Sequence, residues 1–305
     1  MSHSPIYRLH TITEAHRLRG LGSPEHPLIS VIDIASMQYD PLENPHVLIN
    51  DFYTIALKKN CTGKFRYGQQ QYDFDEGVMM FMAPQQIFEI KRESDDANHE
   101  GWLLLIHPDL LWNTQLAHKI KQYEYFGYSV NEALLLSDKE EAIIINLLNN
   151  IRQEYESRMD DYSREVMIAQ LELLLTYAER FYHRQFLTRK ISNHTILDRL
   201  EKLLSDYFRD GALHQTGIPT VQFVAEALNV SANYLSSLLK VLTGQSTQQH
   251  IHNKLIELAK EQLSSTDLTV SEIAYGLGFE HSQSFSKLFK SKTNQSPLAY
   301  RQSFS

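Results

Sequence analysis

The sequence has very little cysteine and no long hydrophobic run. Cys61 is the only cysteine among the 305 residues, which excludes a disulfide within the chain and fits a reducing cytoplasm. We expect it to be a small buried side chain rather than a reactive thiol. The longest apolar runs, Val78–Ala83 and Trp102–Ile106, are far shorter than the roughly 18 residues that cross a bilayer. The first 20 residues mix charged and apolar side chains, so we expect no signal peptide and no membrane attachment.

Motifs of common catalytic sites are also missing. The sequence contains no glycine-rich phosphate loop, no CxxC pair and no nucleophile elbow. A catalytic β-barrel typically holds its metal with a His-x-His pair on a strand, but His46, His99 and His107 are widely separated. The one His-x-His pair, His250 and His252, lies in a predicted helix, where side chains two positions apart diverge. We therefore predict no enzymatic activity, no cofactor and no metal site, and we expect His107 to be structural.

Charge is distributed unevenly along the chain. The net charge of −8 argues at first against binding to nucleic acid. Residues 190–305, however, carry 11 basic and 10 acidic side chains, a net charge of +1, which leaves −9 for the remainder. The final stretch, 281–305, has no acidic residue and contains Lys287, Lys290, Lys292 and Arg301. A local basic face can contact phosphate whatever the total charge, and a solvated helix end is the alternative.

The segment from Val31 to about Ile106 is predicted to form short strands. They are Val47–Ile49, Phe52–Leu57, Lys64–Tyr67, Gln71–Phe74, Val78–Met82, Ile87–Ile90 and Trp102–Ile106. Strands this short, separated by turn residues at even spacing, favour an antiparallel β-barrel or sandwich. A barrel of this size suits a small ligand. The candidate pocket residues are Tyr53, Phe74, Phe81 and Trp102, with an ordinary core role as the alternative.

Two amphipathic helices follow the strands. Apolar residues recur every three to four positions from Ala142 to Tyr155, and again from Met167 to Tyr182. Such helices either cover a barrel or pair with their copies in another subunit. We expect the helix 164–186 to form a homodimer interface, with burial inside one subunit as the alternative. The polar segment 184–193 lacks this period, so we predict an N-terminal domain over 1–190 and an all-α domain over 191–305.

The C-terminal domain contains an internal repeat, which fixes its architecture. The first half of the repeated unit recurs at an offset of 49 residues and the second half at an offset of 50. The matching segments are Thr220-Val221 with Thr269-Val270, Val224-Ala225 with Ile273-Ala274, Leu235–Lys240 with Phe285–Lys290, and Thr243–Ser246 with Thr293–Ser296. Only two copies are present, whereas a helical solenoid needs at least about three.

Each copy has the residues that a helix-turn-helix unit requires, at about 220–242 and 269–292. Ala225 and Ala274 are small where the first helix must let the second approach. Asn229 and Gly278 follow the end of the first helix, where a left-handed conformation is needed. An apolar residue then fills each turn, namely Val230 and Phe279. Ser231 is a predicted N-cap, and Thr269 with Glu272 has the spacing of a capping box.

Residues 194–305 resemble the DNA-binding domain of the AraC family of bacterial transcription regulators. The run Leu263–Ala274, followed by Gly276–Phe279 and closing at Ser296–Arg301, is close to the signature of that family. The resemblance implies a sequence-specific regulator of α+β multidomain architecture, with a cupin-like sensing and dimerisation barrel at the N-terminus. Gly101-Trp102 and His107–Leu111 are similar to one subgroup of such barrels. The implied partners are double-stranded DNA, a second copy, a small-molecule effector and, for an activator, RNA polymerase.

An α-helix fits the major groove and meets base edges with its N-terminal, outward-facing side chains. In the first unit these positions are Ser231, Asn233, Ser236, Ser237 and Lys240; in the second they are His281, Ser282, Gln283, Ser284, Lys287 and Lys290. Gln283 can pair with adenine and Lys287 with guanine, while Lys240 and Lys290 are placed for phosphate. Family members often have arginine at the position of Ser237. The second helix is therefore expected to bind more strongly.

Three interpretations of the N-terminal domain follow from the sequence. In the first, a small molecule bound in the barrel alters how the helix-turn-helix pair is presented. In the second, the barrel is insensitive to ligands and only supports dimerisation. In the third, the barrel is an enzyme attached to a DNA-binding domain, which the missing metal motif disfavours. Each predicts a cytoplasmic DNA-binding protein, and none fixes the operator or the sign of regulation.

Overall fold

A computed structural model describes residues 6–37, 46–59, 65–67, 70–72, 77–90, 100–128, 132–188, 190–209, 213 and 217–303. The chain divides into two compact units, Met1–Gln185 (unit 1) and Phe186–Ser305 (unit 2). The division falls a few residues before the boundary predicted near residue 190. Cys61, His99 and Phe74 lie outside the described residues, so their predicted roles stay predictions.

Unit 1 contains three β-sheets among its described residues. The smaller main sheet has the order β1-β3-β8, the larger one has the order β10-β7-β4-β9-β2, and β5 and β6 form a hairpin. The strands are β1 (Ile6–Leu9), β2 (Ile29–Asp33), β3 (His46–Asn50), β4 (Tyr53–Lys59), β5 (Phe65–Tyr67), β6 (Gln70–Tyr72), β7 (Gly77–Met82), β8 (Ile87–Ile90), β9 (Glu100–Ile106) and β10 (Leu134–Leu136). The α+β class and the separate helical C-terminal domain are confirmed.

The predicted antiparallel barrel is not closed among the described strands. The larger sheet is antiparallel throughout, but it ends in two edge strands, β10 and β2. The smaller sheet is mixed, because β1 pairs with β3 in parallel, with Ile6 opposite Val47. Closure requires every strand to have a neighbour on both sides. The described part of unit 1 therefore holds two main sheets instead of one barrel.

Four helices accompany these sheets: α1 (Ile12–Leu18), α2 (Leu116–Lys119), α3 (Asp138–Glu156) and α4 (Ser163–Thr188). The α1 helix packs with the inter-sheet side of the larger sheet, where Ile12, Ala56 and Leu103 belong to one buried cluster. On the opposite face of the same sheet, the Tyr155 hydroxyl of α3 accepts a hydrogen bond from the backbone N–H of Val31 at 2.9 Å. The helices α3 and α4 thus cover the outer face of the larger sheet, as one of the two predicted roles requires.

Unit 2 is helical throughout its described residues. Its helices are α5 (Lys190–Arg209), α6 (Val221–Ala227), α7 (Ala232–Thr243), α8 (Thr247–Ser265), α9 (Val270–Gly276), α10 (Ser282–Thr293) and α11 (Pro297–Gln302). One continuous apolar core joins α5 to α10, with members such as Leu200, Ala225, Ile251 and Phe289. A shared core holds the two repeated segments in one body. No helix in the described part of the chain is long and apolar enough to cross a membrane.

Candidate nucleic-acid interface

The two repeated segments end their first helices with the same turn. After α6, Asn229 adopts the left-handed conformation with φ of 58°, and the Val230 N–H donates to the carbonyl of Ala225 at 3.0 Å. After α9, Gly278 has φ of 79°, and the Phe279 N–H donates to the carbonyl of Ala274 at 3.0 Å. This six-residue closure is the Schellman motif. Both predicted turns are confirmed.

The helix starts in the two units are capped mainly by side chains. Thr220 accepts the Phe223 N–H at 3.1 Å, and Thr269 with Glu272 forms the predicted capping box. The Thr269 N–H that donates to the Glu272 carboxylate lowers the pKa of that carboxyl group. Ser231 caps α7 by accepting the Tyr234 N–H at 3.2 Å, as predicted. These caps set where α6, α7 and α9 begin, whereas His281 at the start of α10 makes no side-chain capping bond.

The second helices of the two helix-turn-helix units, α7 and α10, which we call the recognition helices, also end alike. Gly244 after α7 and Asn294 after α10 are both left-handed, with φ of 74° and 60°. The backbone N–H of each donates to the carbonyl of Lys240 or Lys290, at 3.0 and 2.9 Å, and the preceding threonine hydroxyl donates to a carbonyl four residues earlier at 2.8 Å. The structural duplication therefore extends from the first helix of each unit to the left-handed residue that follows its second helix. Two helices of equal length, 12 residues each, result.

The predicted DNA-contacting residues of α7 differ in exposure. Asn233 and Lys240 are exposed, whereas Ser231 and Ser237 are half-buried. The Ser236 hydroxyl lies 3.1 Å from the buried hydroxyl of Thr247 on α8 and is directed toward the domain interior. We therefore leave Ser236 out of the candidate surface. A short side chain on the flank of a helix can form a hydrogen bond with a neighbouring helix instead of facing solvent. The sequence pattern alone does not predict this hydrogen bond.

The equivalent face of α10 is much more open. His281, Gln283, Ser284, Lys287 and Lys290 are exposed, and Ser282 is half-buried. On its opposite side, α10 buries Phe285 and Phe289 almost completely. This division between faces leaves polar donors and acceptors together on one surface. The α10 face is accordingly the larger candidate surface for base and phosphate contacts.

Two of the four basic residues near the C-terminus are engaged within the protein. The Lys292 ammonium donates to Asn253 on α8 at 3.0 Å. The Arg301 guanidinium donates to the backbone carbonyls of Leu263 and Leu268, so it ties the end of α8 to the following loop. The basic face predicted over 281–305 is thus reduced to Lys287 and Lys290. Sequence reasoning missed both roles, because carbonyl partners leave no trace in a charge pattern.

The aromatic candidates in unit 1 do not face the space between the two main sheets. Strand register puts Tyr53, Phe81 and Trp102 on one face of the larger sheet. Ile55 is paired with Phe81 on one side and with Leu104 on the other, so these three side chains share a face. Tyr53 and Trp102 lie two positions before Ile55 and Leu104 and therefore point the same way. Phe81 packs on Tyr125, Phe126 and Tyr182, with ring centroids 4.6 to 6.1 Å apart. Trp102 lies under the Arg152 guanidinium of α3, 5.0 Å away. These residues contribute to the layer beneath α3 and α4.

The histidines considered as metal ligands have separate partners. His107 caps the short 3₁₀ helix Pro108–Leu111 by accepting the Asp109 N–H, which confirms a structural role. The Nε2 atom of His250 lies 2.9 Å from the Thr243 hydroxyl, and that of His252 lies 2.8 Å from the Gln248 amide, so the pair diverges as predicted. Burial lowers the pKa of both rings. Among the described residues, no group of three or more His, Cys, Asp or Glu side chains is placed to hold a metal ion.

Comparison with known proteins adds independent evidence. The family model described as "Helix-turn-helix domain" matches residues 224–303. HTH-type transcriptional activator RhaS from Salmonella dublin is 25% identical over 265 residues, which are 83% of this chain and 86% of that protein.

Two solved structures match parts of the chain. The C-terminal domain of AraT, a response regulator from Geobacillus stearothermophilus, is 33% identical over 35% of this chain and 84% of its own, with a TM-score of 0.32. The C-terminal domain of the two-component response regulator yesN from Fusobacterium nucleatum is 30% identical over 33% and 96%, with a TM-score of 0.29. The family match and the duplicated turns identify the C-terminal part of the chain as a double helix-turn-helix domain of the type found in AraC-family transcription regulators.

Proposed function

We propose that the protein regulates transcription by binding a specific double-stranded DNA sequence with the exposed faces of α7 and α10. The observation that carries this proposal is the duplicated Schellman turn, which presents two capped helices of equal length from one core. Two such helices can occupy successive major grooves, about 34 Å apart. Selection of bound fragments from a random DNA pool with the full-length protein is expected to enrich one motif. Enrichment of no sequence would contradict the proposal.

In this proposal the two helices contribute unequally. Gln283 is suited to the N6 and N7 edge of adenine, and Lys287 to O6 and N7 of guanine. Lys240 and Lys290 occupy equivalent positions of the repeat and contact phosphate on both sides of the site. The α7 helix offers chiefly Asn233 and its backbone, since Ser237 is half-buried. Most of the binding energy is therefore assigned to α10.

A comparison of two alanine variants tests this asymmetry. Lys287→Ala removes a side chain with the reach for a base edge, and a base contact of this kind is worth about 1–3 kcal/mol. Ser237→Ala removes a short, half-buried hydroxyl and is expected to change affinity much less. Both variants are measured on the selected operator by fluorescence anisotropy. A larger loss from Ser237→Ala would reverse the assignment.

We also propose that the bound regulator activates transcription in the cytoplasm together with RNA polymerase. The support is that the relative from Salmonella dublin is named a transcriptional activator and matches most of this chain. A reporter gene downstream of the selected operator is expected to be expressed more strongly when the protein is present. Reduced expression from the same promoter would identify a repressor instead.

A second copy of the chain is the proposed partner of α4. The predicted dimer stripe, which includes Met167, Leu171 and Leu174, is fully buried inside unit 1 and is unavailable to a partner. The opposite face of α4 exposes Val166, Ala169, Leu173 and Thr176 at alternating spacings of three and four. This is the spacing of a two-helix seam. In an antiparallel pairing centred on Leu173, Arg180 of one copy would lie near Glu165 of its partner.

The dimer proposal is tested by placing a charge in the centre of this seam. Leu173 is 47% exposed, and Leu173→Glu puts two like charges opposite each other in the proposed pair. Sedimentation of the full-length protein is expected to show a dimer that this variant converts to a monomer. Ile87→Glu is the control, because Ile87 is exposed elsewhere on unit 1. A dimer that survives Leu173→Glu would place the interface elsewhere.

Two versions of unit 1 fit this regulator. In one, a cupin-like sensing domain binds a small molecule and changes DNA affinity. In the other, unit 1 is insensitive to ligands, and the packing of Tyr53 and Phe81 into the aromatic layer favours this version. A thermal-shift screen of metabolites on the full-length protein separates them. A compound that raises the melting temperature and alters operator binding establishes the first version; a screen without such compounds establishes the second.

A further inference from the structure

We infer that Asn253 fixes the relative orientation of the two helix-turn-helix units, through a hydrogen-bond chain from Gln245 to Lys292. We name these three side chains the polar latch. Asn253 would act as a positioning residue, since it determines where the recognition helices lie without contacting DNA itself. The inference rests on the proposed function, because orientation matters here for the spacing of two half-sites.

The latch joins the C-terminal ends of both recognition helices. Gln245 follows the left-handed Gly244 that ends α7, and its Oε1 accepts a bond from the Asn253 amide nitrogen at 2.7 Å. Lys292 lies in the last turn of α10, and its ammonium donates to the Asn253 amide oxygen at 3.0 Å. Asn253 itself is on α8, the helix between the two units. The nitrogen of the Asn253 amide therefore bonds to the first helix-turn-helix unit, and its oxygen bonds to the second.

The repeat itself does not contain the latch. At the offset of 50 residues, Lys292 corresponds to Leu242 and Asn253 corresponds to Ser303. Neither counterpart carries the amide or the ammonium that the latch uses. The hydrogen-bond chain is therefore a feature of the joint between the copies. A polar arrangement found only where two duplicated units meet is what a device for setting their orientation requires.

The apolar contacts at the joint define orientation less sharply than its hydrogen bonds do. Burial of apolar surface is non-directional, whereas hydrogen bonds weaken steeply away from linear geometry. The latch is peripheral, with Gln245 and Asn253 half-buried and Lys292 exposed, while the core beneath includes Leu239, Ile251 and Phe289. Loss of the latch should thus leave the fold intact but allow the two helix-turn-helix units to rotate relative to each other. Burial lowers the pKa of His252, and the positive charge of Lys292 lowers it further, so the His252 ring stays neutral beside the ammonium.

A small change in orientation has a large effect on DNA registration. Recognition helices in successive major grooves lie about 34 Å apart, so a rotation of about 5° displaces one of them by roughly 3 Å. The rise per base pair is about 3.4 Å. A rotation of this size therefore moves the second helix by nearly one base pair. The latch should determine which half-site spacing the protein prefers.

The test measures spacing preference with the full-length protein. The operator selected by the wild type is remade with its half-sites moved closer or farther apart by one and two base pairs. The wild type is expected to lose about tenfold in affinity for the first step in either direction. Asn253→Ala should lose about tenfold on the original spacing and discriminate less than about threefold among spacings. Asn253→Asp keeps an acceptor for Lys292 and for the Gln245 amide group, and should restore much of the preference.

Two comparisons keep the test decisive. Lys254→Ala is the matched control, because Lys254 is also on α8 and pairs with Glu257 of the same helix. Gln245→Ala opens the latch at its other end and replaces Asn253→Ala if that variant fails to fold. Unchanged spacing preference in the latch variants, or an equal loss on every duplex, would overturn the inference. An equal loss would indicate a merely structural role.

A measurement without DNA separates failure of the latch from failure of the proposed function. Spin labels are attached at Ala227→Cys on α6 and at Ser291→Cys on α10, in a variant that also carries Cys61→Ser so that no other cysteine is labelled. Pulsed electron paramagnetic resonance then reports the distance between the two helix-turn-helix units. Both labelled positions are exposed. Asn253→Ala is expected to broaden the distance distribution, and Lys254→Ala is not. An unchanged distribution would refute the latch even if the wild type selected no DNA sequence.

Discussion

Asn229 and Gly278 occupy the same place in the two turns but have different surroundings. Both are left-handed, as their residue types predict, yet Asn229 is exposed. A Cβ atom on Gly278 would lie 3.1 Å from the backbone nitrogen of Ile218 and 3.2 Å from Gly217. The sequence predicts the backbone conformation of each turn because that preference is local. It does not predict the close approach of Gly217, which comes from a distant part of the chain.

Alanine substitutions at two left-handed glycines separate conformational strain from steric contact. Gly244 has φ of 74° with nothing within 4 Å of its Cβ position, so Gly244→Ala should cost about 1–2 kcal/mol of unfolding free energy from strain alone. Gly278→Ala has the same strain and in addition displaces the loop at Gly217. We expect a loss of about 3 kcal/mol for it. Urea unfolding of the full-length variants, followed by circular dichroism, measures both. Equal losses would show that the loop yields without cost.

His16 provides a prediction for the pH dependence of stability. Its Nδ1 atom lies 2.8 Å from the carbonyl of Gly22 and its Nε2 atom 2.8 Å from the Ser30 hydroxyl, so the neutral ring donates to one and accepts from the other. Burial lowers the pKa of this histidine in the folded protein. The unfolded chain binds the proton more readily. The stabilisation is therefore fully present above about pH 6.5 and is lost as the pH falls below it.

This dependence is measured by urea unfolding between pH 8 and pH 5. His16→Gln should flatten the fall in unfolding free energy on the acid side, because it removes the group that takes up the proton. His10→Gln is the control. Its partner Asp51 raises the pKa of His10, which favours the folded state as the pH falls, so this variant should leave the acid limb at least as steep as in the wild type. An equally steep acid limb for His16→Gln would contradict the assignment.

The elements of unit 2 were more predictable than those of unit 1. Every predicted strand overlaps an observed strand, but β1, β2 and β10 were not predicted. The strand β1 is four residues long and pairs in parallel with β3, so its pairing depends on a partner some 40 residues away. Strand periodicity also cannot say which face of a sheet the helices cover, which is why it left both a pocket role and a core role open for Tyr53 and Trp102. In unit 2, the repeat supplies an internal comparison that compensates for such ambiguity.

The spacing between the paired helices of each unit depends on one small residue. Ala225 of α6 is completely buried, whereas Ala227 of the same helix is exposed. Ala225→Leu adds volume where α6 and α7 meet, so we expect a loss of about 1–3 kcal/mol in stability and a displaced α7. Ala227→Leu adds the same volume in solvent and should change stability by less than about 0.5 kcal/mol. Thermal melts and operator binding of both variants measure this. Similar behaviour of the two would mean that the helices are not closely packed at Ala225.

At the scale of the whole molecule, charge is separated along the chain. Residues 190–305 have a net charge of +1, while the remainder has −9. Affinity for phosphate must therefore come from a few placed lysines instead of a broad basic surface. Lys287 and Lys290 are exposed on α10, and Lys240 is exposed on α7. With only these three lysines assigned to the two helix faces, the removal of one should be measurable.

The salt dependence of operator binding tests this distribution. Each phosphate contact releases condensed counterions, so log K falls with log salt concentration by about 0.9 for each contact on duplex DNA. Lys290→Ala should reduce the magnitude of that slope by about 1 and weaken binding similarly on the operator and on unrelated DNA. Lys202→Ala is the control, because Lys202 is exposed on α5, outside both helix-turn-helix units. If both variants shift the slope equally, the field of the whole domain governs binding, and the contacts assigned to α10 would have to be withdrawn.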